Sequence, residues 1–89
     1  MITIKEAAKI VTNRSNGDTI IHGFEYKNLY IFRMLLKGAE LGSDCDYYVS
    51  LNKNTKEYSI FNAFDEAFDN PDEFIPASKK AIPLKQLLD

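Results

Sequence analysis

Tryptophan is absent from the 89-residue chain, and histidine and cysteine occur once each. The lone Cys45 excludes an internal disulfide, and no cysteine spacing suits zinc. A reducing cytoplasm is the compartment this usage predicts. Proline occurs three times and glycine four, too few for a collagen-like or low-complexity chain. Long apolar runs are missing as well. The longest, Leu29 to Leu36, contains Arg33, whereas a membrane-spanning helix needs about 20 apolar residues. The opening Met1-Ile2-Thr3-Ile4 is interrupted by Lys5, Glu6 and Lys9, which is not the pattern of an export signal. No membrane contact is expected.

Large net charge is also lacking: the formal total is −2. Its distribution is uneven. Residues 1–37 carry six Lys or Arg against three acids, whereas residues 38–78 carry Lys53 and Lys56 against nine acids. Nucleic-acid binding needs clustered positive charge, so it is not expected. A solvated acidic face is the plain explanation of the middle block.

What the chain has is aromatic and aliphatic bulk: five Tyr, six Phe and 45% hydrophobic residues overall. That suffices for the core of one domain spanning 1–89. Thr3 and Glu6 form a capping box ahead of Ile4, Ala7, Ala8 and Val11 at helical spacing, which predicts a helix. The Asn13-to-Asp18 cluster stops it. Thr19 to Tyr26 alternates as a strand, with Ile20, His22, Phe24 and Tyr26 on one face. Leu29 to Leu36 is apolar on both faces, as a central strand should be. Lys37 to Asp46 reads as a loop. Asp46 to Asn62 reads as a hairpin, with Asn52 to Lys56 as its turn. Asn62 starts a helical turn over Ala63 to Phe68, and Asn70-Pro71-Asp72-Glu73 starts another. Pro76 argues against a long helix from there, and Pro83 can begin a last turn through Leu88. The expected fold is α+β: an N-terminal helix packed over one face of an antiparallel meander of about four strands, with short C-terminal helical turns.

Tyr47-Tyr48-Val49-Ser50-Leu51-Asn52-Lys53-Asn54-Thr55-Lys56, following the Glu6-Ala7-Ala8 helix, resembles the PepSY type of small α+β domain. That type has an EAxxIA helix and a terminal YxVxVDxxTGxV hairpin, and the likeness covers residues 3–61. With Phe61-Asn62-Ala63-Phe64, the same stretch also resembles short uncharacterised prophage proteins of Gram-positive bacteria, which show YYxVNKxTGxxxxFNPF. Lys56 stands where those patterns have Gly, and Ala63 where they have Pro. The resemblance implies the fold and carries no functional residue.

No reaction is legible. His22 has no partner at fixed spacing, and the acids beside Cys45 oppose a thiolate. Asp65, Glu66, Asp69, Asp72 and Glu73 lack the alternating oxygens and glycine of a calcium loop, and two helix starts account for them. Gly38 and Gly42 are flanked by acids that repel phosphate. The five tyrosines serve either as a binding platform or as cross-strand packing. No catalytic residue, metal or cofactor is expected. The leading reading is a non-enzymatic domain that binds a protein partner through Phe64, Asp65, Glu66, Phe68, Asp69 and Phe74. A homodimer through a strand edge is a further expectation. The alternative is a small-ligand-binding or weakly hydrolytic domain using a pocket of Tyr residues and His22.

Overall fold

The computed structural model describes residues 1–39 and 46–88, so residues 40–45 of the expected loop, Cys45 among them, lie outside the described residues. Helix α1 (Ile4–Arg14) begins as its capping box predicts. The Glu6 amide donates to the Thr3 hydroxyl at 3.2 Å, and the Thr3 amide donates to the Glu6 carboxylate at 3.4 Å. Ala7, Ala8 and Val11 form its buried stripe. Ser15 closes the helix, and Asn16 and Gly17, both at positive φ, turn the chain toward the sheet.

Four strands then run as an antiparallel meander: β1 (Thr19–Tyr26), β2 (Leu29–Leu35), β3 (Asp46–Asn52) and β4 (Tyr58–Phe61). A fifth, β5 (Ile82–Pro83), pairs with β1 at Gly23 and His22, giving the order β4-β3-β2-β1-β5. The expected meander of about four strands is thus present, with the two-residue β5 added at its edge. Pro83 holds Ile82 extended, and an edge strand tolerates its missing N–H. Helix α4 (Leu84–Leu87) follows directly, as the last turn expected after Pro83.

Strand β2 is central and covered on both sides. Tyr30, Phe32 and Met34 join Ala7, Val11, Val49 and Leu87 beneath α1 and α4. Ile31 joins Phe24, Tyr26 and Phe74 on the opposite side. That second layer is built by α2 (Ala63–Asp69) and α3 (Pro71–Ser78). The N-terminal helix thus covers one face as expected, and the short C-terminal helices α2 and α3 cover the other, because Phe24, Tyr26 and Ile31 need a cover of their own. Pro76 lies inside α3, which ends two residues later.

Strand β1 departs from the simple alternation. Ile20 pairs with Met34 and His22 with Arg33, so Ile21 is an extra residue in a bulge. The bulge puts Ile20 under α1 while His22, Phe24 and Tyr26 face the other way, correcting the single-face assignment. Gly23 follows, opposite Phe32. A Cβ there would lie 2.5 Å from Cδ1 of Phe32, so the ring occupies the space of the missing side chain.

The β3–β4 turn does more than reverse the chain. Oδ1 of Asn52 accepts from the amides of Asn54 and Thr55 at 2.8 and 3.0 Å, and Lys56 takes a φ of +62°. This is the position where the resembled patterns have glycine, whose φ is free. Lys53 is only 6% exposed. Its Nζ donates to the Glu25 carboxylate and, at 3.0 Å, to the Lys27 carbonyl, and it sits 5.1 Å above the Tyr30 ring. Its carbonyl accepts from the Ile2 amide at 3.2 Å, while the Tyr30 hydroxyl donates to the Ile2 carbonyl at 2.8 Å. One turn lysine thus ties the first residues to both hairpins.

Three substitutions grade these contacts. Thr3→Ala should cost about 1 kcal/mol through the lost cap. Gly23→Ala should cost about 1–3 kcal/mol, because Phe32 must leave its place. Phe32→Ala should cost about 3–5 kcal/mol through the cavity left beside β1. Urea denaturation checks the order; a neutral Gly23→Ala would mean the Phe32 ring yields freely.

Candidate functional site

Helix α2 has two chemically different sides. Asn62 caps it, with Oδ1 accepting from the Asp65 amide at 3.0 Å. Ala63 and Ala67 turn inward against the Phe24 cluster. The larger side chains at Phe64 and Phe68 point the other way and are 89% and 87% exposed. They stand one turn apart, with Asp65 and Asp69 exposed beside them. On β4, Ile60 is 71% exposed. A surface groove of about 260 Å³ at this corner is lined by Tyr47, Tyr48, Ile60, Phe61 and Phe64 among others.

Two of the six residues expected to meet a partner are engaged within the fold, Phe74 buried and Glu66 half-buried. Phe74 is 6% exposed, and its ring lies 5.6 Å from Phe24, 5.2 Å from Tyr26 and 5.9 Å from Phe61, centre to centre. It closes the second core layer, so its role as a contact residue is corrected to packing. Glu66 accepts from the Tyr26 hydroxyl and, at 2.8 Å, from Nδ2 of Asn70, with Lys27 at 3.8 Å. Those bonds hold its carboxyl below the usual range, the Tyr26 bond most of all, while burial holds the Tyr26 hydroxyl well above its own. Glu66 anchors α2 to β1. Asn70 spends its side chain on Glu66 and makes no side-chain cap for α3. The surface face therefore consists of Phe64, Asp65, Phe68 and Asp69.

The tyrosines do not form one platform. Tyr26 and Tyr48 lie on the α2–α3 side, and Tyr30, Tyr47 and Tyr58 on the α1 side. Tyr47 donates to Asp18 at 2.5 Å, which lowers the Asp18 pKa, and the Lys37 amide also donates to that carboxylate.

His22 stands beside Phe24 and Tyr48 on β1, half-buried, with Nδ1 buried and without a hydrogen-bond partner among the described residues. Burial, and then the nearby Arg33, lower its pKa. Arg33 itself pairs with Asp46. His22 lines neither the groove near Phe64 nor the concavities beside Phe24 and Ile82 and beside Thr19 and Leu88. Among the described residues, no three His, Cys, Asp or Glu side chains come together as metal ligands, and no helix is long and apolar enough to cross a membrane. Asp65 and Glu66 occupy the first turn of α2, Asp72 and Glu73 that of α3. Cys45, Gly42 and Asp44, weighed above for chemistry, lie outside the described residues.

No family model, curated protein or solved structure matches the chain.

Three shifted groups make stability acid-sensitive: His22, and at lower pH Glu66 and Asp18. His22 resists protonation when folded, so unfolding takes up a proton below the unfolded value of 6.5. Stability should fall as pH drops through 6.5 toward the lower folded value, and His22→Phe should flatten that slope. Glu66 is held charged when folded, so its contribution is present above 4.5 and lost as pH falls below it. Glu66→Gln should shrink this second step and leave the part that Asp18 contributes. Denaturation midpoints recorded across the acid range test both, and an unchanged slope in either variant would refute its assignment.

Proposed function

We propose that the chain is a non-enzymatic, cytoplasmic protein-binding domain of prophage type whose contact surface is the outer face of α2. The observation that carries this reading is the pair Phe64 and Phe68, held in water one turn apart by a helix anchored on its other side. Small alanines fill the inward positions of α2, and the rings point out. Burying a Phe side chain contributes roughly 1.5–3 kcal/mol, so two rings offer a partner useful affinity. Aromatic anchors of this kind dominate many interfaces.

The charge around the rings defines the partner. Residues 57–78 carry six acids and no Lys or Arg. A protein with an apolar pocket rimmed by Lys and Arg fits: the rings supply affinity, and Asp65 and Asp69 steer the approach. The acids repel a phosphate backbone, which disfavours nucleic acid. The single cysteine suits a reducing compartment. The prophage setting rests on the likeness of residues 47–64 noted above.

Wild type, Phe64→Ser/Phe68→Ser and Asp65→Lys/Asp69→Lys, used side by side as bait in extract from the native host, test the proposal. All three should fold, since every substituted side chain is exposed. A partner held by wild type should be lost from the Phe variant, and more weakly held by the Lys variant at low salt than at high salt relative to wild type. The same partners recovered equally by all three would refute this surface.

A further inference from the structure

Strand β4 is an open edge of the sheet. It pairs with β3 on one side, and among the described residues nothing pairs with its other side. Natural edge strands are commonly blunted by a charge, a proline or a bulge. Tyr58-Ser59-Ile60-Phe61 carries neither charge nor proline, and its register with β3 is unbroken. Ile60 stands near its centre on the α1 side, mostly in water. A regular, uncharged edge with an exposed β-branched residue is a template for another strand.

We infer that this edge pairs with β4 of a second copy of the chain, antiparallel about a two-fold axis through Ile60, joining two five-stranded sheets into one of ten. Self-complementarity identifies the occupant. Residues opposed in an antiparallel pair project to the same face, which restricts an axis perpendicular to the sheet to a few registers. With the axis at Ile60, Ile60 opposes Ile60 of the second copy and Ser59 opposes its Phe61, an apolar pair beside an aromatic over a small residue. The same register carries Lys56, two residues before β4, toward the first turn of the other copy's α2, where Asp65 is exposed. Symmetry makes that ion pair twice. Moving the axis to Ser59 opposes Ile60 with Tyr58 and takes Lys56 to uncharged Asn62, so the register at Ile60 is the complementary one.

The axis keeps both α1–α4 layers on one side of the joined sheet and both α2–α3 layers on the other. Such an interface is isologous and closes at two copies. At the opposite edge the two residues of β5, one of them Pro83, cover part of β1 and interrupt it as a template. This inference does not rest on the partner proposed for α2: it uses the strand edge, shares Asp65 with that face, and leaves Phe68 and Asp69 outside the contact.

Sedimentation of the full chain over a concentration series tests it. Wild type should show a monomer–dimer equilibrium. Ile60→Lys places two like charges on the axis and should weaken the dimer by about tenfold or more, with unchanged circular dichroism. Lys56→Asp should weaken it about twofold to fivefold, and adding Asp65→Lys should restore most of that loss. The restored pair decides the matter should Ile60→Lys fail to fold. A monomer at every concentration, open-ended oligomers, or a dimer in which the second charge change gives no recovery would each overturn the proposal.

Discussion

Burial of β2 on both faces is the constraint from which the rest follows. Its seven residues carry Tyr30, Phe32 and Met34 on one side and Leu29 and Ile31 on the other, with Arg33 as the polar interruption. A strand of that composition is stable only with a neighbour at each edge and a layer over each face. β1 and β3 supply the edges, α1 with α4 one layer, and α2 with α3 the other. Gly23 sits at the tightest point of this arrangement, since Phe32 can lie flat beside β1 only where β1 has no side chain. The bulge at Ile21 then lets one strand serve both layers, with Ile20 on the first and Phe24 and Tyr26 on the second.

Polar tips fasten the layers to the sheet. Tyr30 reaches the Ile2 carbonyl, Tyr47 reaches Asp18 at the exit of α1, and Tyr26 reaches Glu66 on α2. Each phenol buries its ring and spends its hydroxyl on a different segment, the usual use of a side chain that is apolar along its body and polar at its end. The Tyr26–Glu66 bond has a functional consequence: it fixes which side of α2 is internal. Phe64 and Phe68 are consequently presented outward by an anchored helix, and a partner need not order them first, which lowers the entropic cost of binding.

The two ends of the sheet are treated differently. At β1, Ile82 and Pro83 cover part of the edge, and proline discourages a further strand. At β4 no charge or proline intervenes. The acidic run from Glu57 to Glu73 surrounds that edge rather than occupying it, so charge governs approach while the strand itself stays free to pair.

Local patterns determined much of this protein. The Thr3–Glu6 capping box, the start of α2 at Asn62, the central position of β2 and the β3–β4 hairpin were all legible, because each depends on residues within a few positions of one another. Tertiary structure decided the rest. The bulge at Ile21 is visible only through the register with β2, and the pairing of Ile82 with Gly23 joins residues far apart in the chain. Lys53 reads as an ordinary turn residue until Glu25, Lys27 and Tyr30 are brought around it. The acidic, aromatic segment was recognisable from composition, but composition could not divide it. Phe64, Phe68 and Phe74 are the same side chain in similar local settings, and only the position of Tyr26 and Phe24 across the sheet makes one of them core and leaves two in water.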